Sequence, residues 1–251
     1  MRTFSKTVVG PYIRASGYQR VCEIGSCEGA NIDRLLAVGG MSVCVIDPCV
    51  DADLVTKYAG NSRVRVCRGL SLEMLKTLDD VFDCIMIDGD HNWYTVFHEL
   101  VVIHDKGMLA KHGTIFMHDV CWPYARRDMY YNLDTVPVEF RQPVAKGGIL
   151  RGVSPLTSDP AQGKNGEHWN ATHEGGPRNG VLTAIEDFRR DHPGYRFFSL
   201  QREWGLGVLV REGENAKAVA QLERKARLIN TAEAFKTALK TATGRLSYVP
   251  R

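Results

Sequence analysis

Five short apolar runs set the frame of this chain: RVCEIG (20–25), SVCVID (42–47), RVRVC (63–67), DCIMID (83–88) and GTIFMHD (113–119). Each is rich in Val and Ile and reads as a strand apolar on both faces. A strand with one wet face alternates apolar and polar residues, so runs of this kind belong to central parallel strands covered by helices on both sides. Between them lie GANIDRLLAVGG, DADLVTKYAG, SLEMLKTLDD and NWYTVFHELVVIHDKGML, with helical spacing such as Phe97, Leu100, Val101 and His104. Asp51 and Ser71 are expected N-caps, and Gly39–Gly40 and Gly60 expected C-caps. Strand and helix in alternation predict an α/β fold: a Rossmann-like, doubly wound, mostly parallel sheet with helices on both faces.

The rhythm stops at Val120. Residues 121–177 hold six of the ten prolines and seven glycines, several aromatics and few helical patterns. A loop this long inside a compact domain is expected to be functional, here as a substrate-covering insertion after the fifth strand. Its Trp122, Tyr124, Tyr130 and Tyr131 suit stacking on sugar faces, and Arg126 and Arg127 suit an anionic or polyhydroxylated group. His168 and His173 are further candidates for substrate contact, as are Arg178 and Asn179, where turn chemistry explains the stretch equally well. The regular pattern resumes with NGVLTAIEDFRRDH, then YRFFSL and WGLGVLVRE, an antiparallel pair closing the sheet. From about residue 213 to 243 the tail is helical and basic. Its stripe of Val219, Leu222, Ala226 and Ile229 is suited to packing on the domain or on a second subunit of a homo-oligomer.

With 251 residues, 44% hydrophobic, residues 1–251 suffice for a single domain carrying an insertion. A net charge of +3 makes no case for nucleic acid, and no apolar stretch reaches the ~18 residues of a membrane helix. The seven cysteines form no CxxC pair. Cys22, Cys44 and Cys84 lie in apolar runs and read as buried free thiols, which together with the absence of a signal-peptide pattern predicts a cytoplasmic location. The sequon at Asn170 is read as a chance match.

VCEIGSCEGANIDRLL (21–36) ends the first strand and opens a helix. Gly25 stands where a side chain would block a ligand, and Gly29 lets the helix start close to it, its N–H groups favouring an electronegative partner. Asp47 ends the second strand, where an acid suits the two hydroxyl donors of a ribose. The pattern is ExGxxxG rather than GxGxxG, lacking the glycine that admits a pyrophosphate, so the expected ligand is nucleoside-like without a diphosphate. This resembles motif I of the class I S-adenosylmethionine-dependent methyltransferases, and the resemblance extends over EIGSCEG, the acid of VIDP and the antiparallel last strand. It implies that Gly25 and Gly29 line the methionine part and that Asp47 holds the ribose. It brings Ser71 to the adenine edge, although a plain N-cap is the other reading. Glu23, Ser26 and Asp88 complete the implied cofactor-facing set.

MIDGDHNWY (86–94) ends a buried strand with three ionisable groups, Asp88, Asp90 and His91. Ligands of doubly wound sheets sit beyond the carboxyl ends of the strands. The methyltransferase strand order puts Asp88 and His118–Asp119 on neighbouring strands, about 4.8 Å apart. Two acids that close repel unless something positive stands between them, and a hard divalent cation such as Mg²⁺ does this with oxygen ligands. Asp88 can then hold metal while Asp90 takes a proton. His91 is the competing base, since imidazoles in general titrate near pH ~6.5.

The block IDGDHNWYTVFHEL…HGTIFMHDVCWPYARRDMYY further resembles the macrolide sugar O-methyltransferases and the cephalosporin-hydroxylase-like methyltransferases. That resemblance implies Mg²⁺ held by the acids matching Asp88 and Asp119, and Asp90 as general base. The chain departs from it at His118, where relatives carry a second acid. His118 is then a weaker ligand, with tolerance for Mn²⁺ or Fe²⁺, or a base. The expected activity is metal-assisted O-methylation of a hydroxylated small molecule, most simply a sugar of a glycosylated natural product. A nicotinamide-dependent oxidoreductase is the alternative, against which the missing GxGxxG counts, and a methyltransferase of a non-sugar small molecule is another.

Overall fold

The computed structural model describes residues 4–26, 29–159 and 161–242, with the side chains of 240–242 excepted. Cys27 and Glu28 of the glycine motif, Pro160 of the insertion and the last residue of the expected tail segment, 243, lie outside the described residues.

A seven-stranded sheet in the order β3-β2-β1-β4-β5-β10-β9 forms the centre. Its strands are β1 (Arg20–Ile24), β2 (Ser42–Ile46), β3 (Val64–Cys67), β4 (Phe82–Ile87), β5 (Leu109–His118), β9 (Tyr195–Leu200) and β10 (Leu206–Arg211). β1 to β5 run parallel, and β10 is antiparallel to both β5 and β9. The helices are α1 (Gly10–Ser16), α2 (Ala30–Leu36), α3 (Ala52–Tyr58), α4 (Ser71–Thr77), α5 (Trp93–Asp105), α6 (Val181–Asp191) and α7 (Ala216–Ala242). This is the expected doubly wound fold.

The apolar runs explain themselves in the packing, because successive strand residues face opposite sides. Val21, Val43, Val45, Cys84, Met86 and Phe116 join one buried cluster with Ile13, Ile32, Leu35 and Leu222. Their neighbours Cys22, Ile24, Cys44, Ile46, Ile85 and Ile115 join the other, with Leu75, Val96, Leu100, Ile185 and Phe188. β3 departs from the expectation. It is the sheet edge and none of its residues is fully buried, because RVRVC alternates Arg with Val and tolerates water on one side. Asp51 caps α3, accepting from the Leu54 N–H at 2.7 Å. Ser71 does not cap α4; Leu70 occupies that position and Ser71 is the first helical residue. Cys22, Cys44 and Cys84 are free and buried.

The insertion is more ordered than its composition implies. β6 (Met129–Tyr130), β7 (Val144–Lys146) and β8 (Trp169–Ala171) form a small antiparallel sheet in the order β6-β8-β7. Asp128, fully buried, ties it to the main domain. The carboxylate accepts from Trp93 N–H at 2.7 Å, Gly180 N–H at 2.6 Å and the Tyr130 hydroxyl at 2.7 Å. Buried Arg127 donates to the carbonyls of Ala171 and Ser154. Asn170 is buried and its amide donates to Asn165 O at 2.8 Å, so the sequon is a structural asparagine. On α7, Val219, Leu222 and Ala226 are buried and Ile229 packs partly against them, so the predicted stripe faces the domain. No described helix is long and apolar enough to cross a membrane.

Candidate active site at the carboxyl ends of the strands

The first half of the site surrounds the end of β1. Gly25 has φ +83°, and a Cβ there would stand 2.3 Å from the Asp88 carbonyl oxygen. Its glycine is therefore demanded by the close approach of the β4 end as well as by any ligand. Gly29, φ +69°, abuts Leu54 in the same way. Asp47 is buried, and its two oxygens accept the N–H groups of Ser26 at 2.8 Å and Cys49 at 2.7 Å. The acid thus clamps the glycine loop to the end of β2. Each carboxylate oxygen has two lone pairs, so ribose hydroxyls can still be received. Glu23 is 1% exposed; Asn31 donates to its Oε1 at 2.7 Å, while Oε2 has no partner among the described residues. Burial pushes Glu23 up to about 7, against the Asn31 hydrogen bond. The Ser26 hydroxyl is also buried with no well-formed hydrogen bond among the described residues, and it stands close enough to Glu23 to oppose part of that rise. Orphaned buried acceptors beside an acid that orders a glycine turn fit the polar end of an S-adenosylmethionine-like ligand.

The second half lies where β4 and β5 end. Ile87 pairs with Met117, so Asp88 and His118 follow side by side. Here the positive group between the acids is a side chain: His118 Nδ1 lies 3.0 Å from Asp88 Oδ1 and 3.4 Å from Asp119 Oδ1. Burial works to lower His118, but hydrogen bonds and charge from the two acids outweigh it and raise the imidazole to about 9. Burial likewise works to raise Asp88, and His118 more than offsets it, holding the carboxyl below its usual range. Asp119 sits at φ +60°, a region costly for a non-glycine residue and one that concentrates at functional sites.

His91 is 7% exposed, its Nδ1 3.0 Å from Asp119 Oδ2. Its ring stacks on Tyr124 at 5.6 Å and 6°, and Tyr124 in turn on Trp204 at 6.3 Å. One ligand atom each from Asp88, His91 and Asp119 lies within 4.8 Å of the other two, so these three could close on one ion. A cavity of about 350 Å³ is lined by the ionisable groups Asp88, His91, His118 and Asp119 and by Tyr124, Met129, Tyr131, Asn165, His168 and Trp204. Asp90 is not among its lining residues. Its carboxylate turns over the start of α5, accepts from the Thr95 hydroxyl at 3.3 Å, and is raised by burial.

The expected cationic contacts are spoken for elsewhere. Arg126 makes a two-pronged pair with Glu186 at 2.5 and 2.7 Å, and Arg127 is consumed by backbone carbonyls. Arg178 stacks over Trp93 and Phe140, and buried Asn179 accepts from the Asp128 N–H. None of the four lines the cavity. Asn165, Met129 and Trp204, which do, carried no sequence signal beyond an aromatic in a turn.

Residues 22–120 match the family model described as a methyltransferase domain. No curated protein matches the chain. Among solved structures, the fold is similar to that of an O-methyltransferase from Bacillus cereus in complex with S-adenosylhomocysteine, at 16% identity and TM-score 0.52, covering 84% of this chain and 82% of that one. It is also similar to the S-adenosylhomocysteine-bound methyltransferase PaMTH1 of Podospora anserina, at 16% identity and TM-score 0.51, covering 81% and 76%. Residues 22–120 therefore match a methyltransferase domain, and the sheet as a whole has the fold of these solved methyltransferases.

Proposed function

We propose that the protein is a class I, S-adenosylmethionine-dependent methyltransferase that acts on a hydroxyl group of a small molecule, with His91 as the base. The observation that carries the reading is the His91–Asp119 pair lining a cavity beside Asp88. Asp119 holds Nδ1, which leaves Nε2 as the nitrogen able to take the hydroxyl proton. The oxygen then attacks the methyl carbon as the carbon–sulfur bond breaks, and S-adenosylhomocysteine leaves. Holding both reactants in line supplies much of the rate. The aromatic rings of Tyr131 and Trp204 in the cavity lining support a ring-shaped polyhydroxylated acceptor, and we assign it to a sugar of a glycosylated natural product. Transfer of labelled methyl over a panel of glycosides tests the assignment; a protein that binds S-adenosylmethionine yet methylates only non-sugar phenols sinks it. A nicotinamide-dependent oxidoreductase has no support in the match of residues 22–120.

Asp88 and Asp119, with His91 or His118 as a further donor, fit a divalent cation: two oxygen donors suit Mg²⁺, and an imidazole extends the set to Mn²⁺ or Fe²⁺. Such an ion would lower the pKa of the accepting hydroxyl. If Asp88 holds it, Asp88→Asn raises the metal concentration needed for activity and excess metal restores part of the turnover. A chelator then abolishes wild-type turnover and leaves S-adenosylhomocysteine binding intact. A specific observation favours a second reading, metal-free transfer, since the His118 imidazolium already stands between the two acids. Chelator-resistant turnover decides for it. Location in the cytoplasm is part of this proposal.

At the cofactor end, Asp47→Ala is expected to weaken S-adenosylhomocysteine binding by roughly 1.5–3 kcal/mol, the worth of charge-assisted hydrogen bonds. The ribose loses its acceptor, and the Ser26 N–H loses the carboxylate that positions the loop. Unchanged affinity by calorimetry in the folded variant removes Asp47 from the site.

A further inference from the structure

α5 begins beside the active site and runs to the opposite end of the sheet, about 20 Å away at 1.5 Å per residue. Its last turn brings His104 and Asp105 up to His192, which follows α6. One ligand atom from each of the three lies within 4.8 Å of the others. The two imidazole rings meet edge to face with centroids 4.6 Å apart.

The surroundings of the rings say more than their proximity. His192 Nδ1 lies 3.2 Å from the Phe188 carbonyl oxygen. A carbonyl only accepts, so Nδ1 carries the proton and the lone pair of the neutral ring is on Nε2. His104 Nδ1 lies 3.0 Å from the Tyr195 hydroxyl, which accepts as readily as it donates. The Nε2 atoms of both rings have no partner among the described residues. Phe188 stacks on His192 at 4.6 Å and 19°, fixing its plane. Imidazoles held through Nδ1 by a carbonyl or hydroxyl, with Nε2 left over, are the arrangement that orients metal-binding histidines.

We infer that His104, Asp105 and His192 form a second metal site, separate from the active site, for a zinc-like divalent transition metal. Two imidazole nitrogens and one carboxylate oxygen suit Zn²⁺, with a fourth position left for water. Donor atoms sharing an ion at about 2.0–2.2 Å stand at most ~4.4 Å apart, so small side-chain rotations close the site. An ion there pins the far end of α5 to the turn between α6 and β9. It thereby fixes the helix whose first residue, Trp93, donates to Asp128 beneath the insertion. The site takes no part in the chemistry.

Zn²⁺ alone, titrated into the chelator-stripped 251-residue protein against a chromophoric chelator, tests this. Because the active site also offers ligands, the titration is run on Asp119→Asn, which is expected to retain one tight equivalent. His192→Gln in that background should weaken it by at least ~10–100-fold, and Tyr195→Phe, which removes only the hydroxyl behind His104, by about 10-fold. Zn²⁺ should raise the unfolding temperature of Asp119→Asn but not of its His192→Gln partner, while His192→Gln alone methylates as wild type does. Zn²⁺ affinity unchanged by His192→Gln, or lost in Asp119→Asn alone, overturns the site.

Discussion

His91→Ala is expected to lose about 10²–10⁴-fold in turnover, the usual scale of a general base, while binding S-adenosylhomocysteine as the wild type does. The variant leaves the β1 end untouched, so Glu23, Gly25 and Asp47 keep their arrangement. It removes a cavity-lining imidazole whose Nδ1 is fixed by the 3.0 Å contact to Asp119, whereas His118, fixed in the same way by Asp88, is raised by its two acids and is the poorer proton acceptor. The loss should fall on kcat, since Tyr131 and Trp204, which line the same cavity, are untouched. Asp90→Asn is the discriminating control. The DGD resemblance implies that Asp90 is the base, but its carboxylate sits over α5 with Thr95 and lies off the cavity. On the geometry, Asp90→Asn keeps turnover within a few-fold of wild type. A collapse of turnover in Asp90→Asn, with His91→Ala near normal, returns the role to Asp90.

The sheet was legible because its strands obey a local rule. Val and Ile on both faces of β1, β2, β4 and β5 announce burial from two sides, and the acids that follow them must fall at one end of a parallel sheet. The same logic places Asp47, Asp88 and Asp119 around one ligand region. What the residues could not announce were partners far along the chain. Asp128 accepts from Trp93, 35 residues earlier, and from Gly180, 52 residues later; nothing in a proline- and glycine-rich stretch marks one aspartate as its anchor. Trp204 reaches the cavity from the turn between β9 and β10, a position set by the antiparallel pair rather than by its neighbours. The N-terminal π-helical turn Ser5–Val9 and α1 stand outside the strand–helix alternation, although Pro11 near the start of α1 is a helix-opening signal. His118 shows the limit of charge counting. Two adjacent strand-end acids called for a positive partner, and a histidine between them met that need as readily as an ion.

Glu99→Gln is expected to flatten the pH dependence of stability. Glu99 on α5 is fully buried and neither carboxyl oxygen has a well-formed hydrogen bond among the described residues. Burial raises it from its ordinary 4.5 to about 8, with Ser71 opposing in part and the charge of Asp90 adding to the rise. A carboxyl whose folded pKa lies above its unfolded one binds more protons in the native state. Its contribution to stability is therefore whole below about pH 4.5 and drains away as pH climbs to about 8. Across that window the shift corresponds to roughly 5 kcal/mol at most, and each kcal/mol moves the midpoint of a protein this size by about 2–4 °C. Glutamine has nearly the same shape and no proton to lose. Wild type and Glu99→Gln should melt together near pH 5, and the variant should melt several degrees higher at pH 8. Glu23 and Asp128 are raised in the same sense, to about 7 and about 6, so wild type should fall in stability over this range whatever Glu99 does. The difference between the two proteins isolates the buried glutamate, and parallel melting curves from pH 5 to 8 would mean that Glu99 keeps its charge through a partner such as bound water.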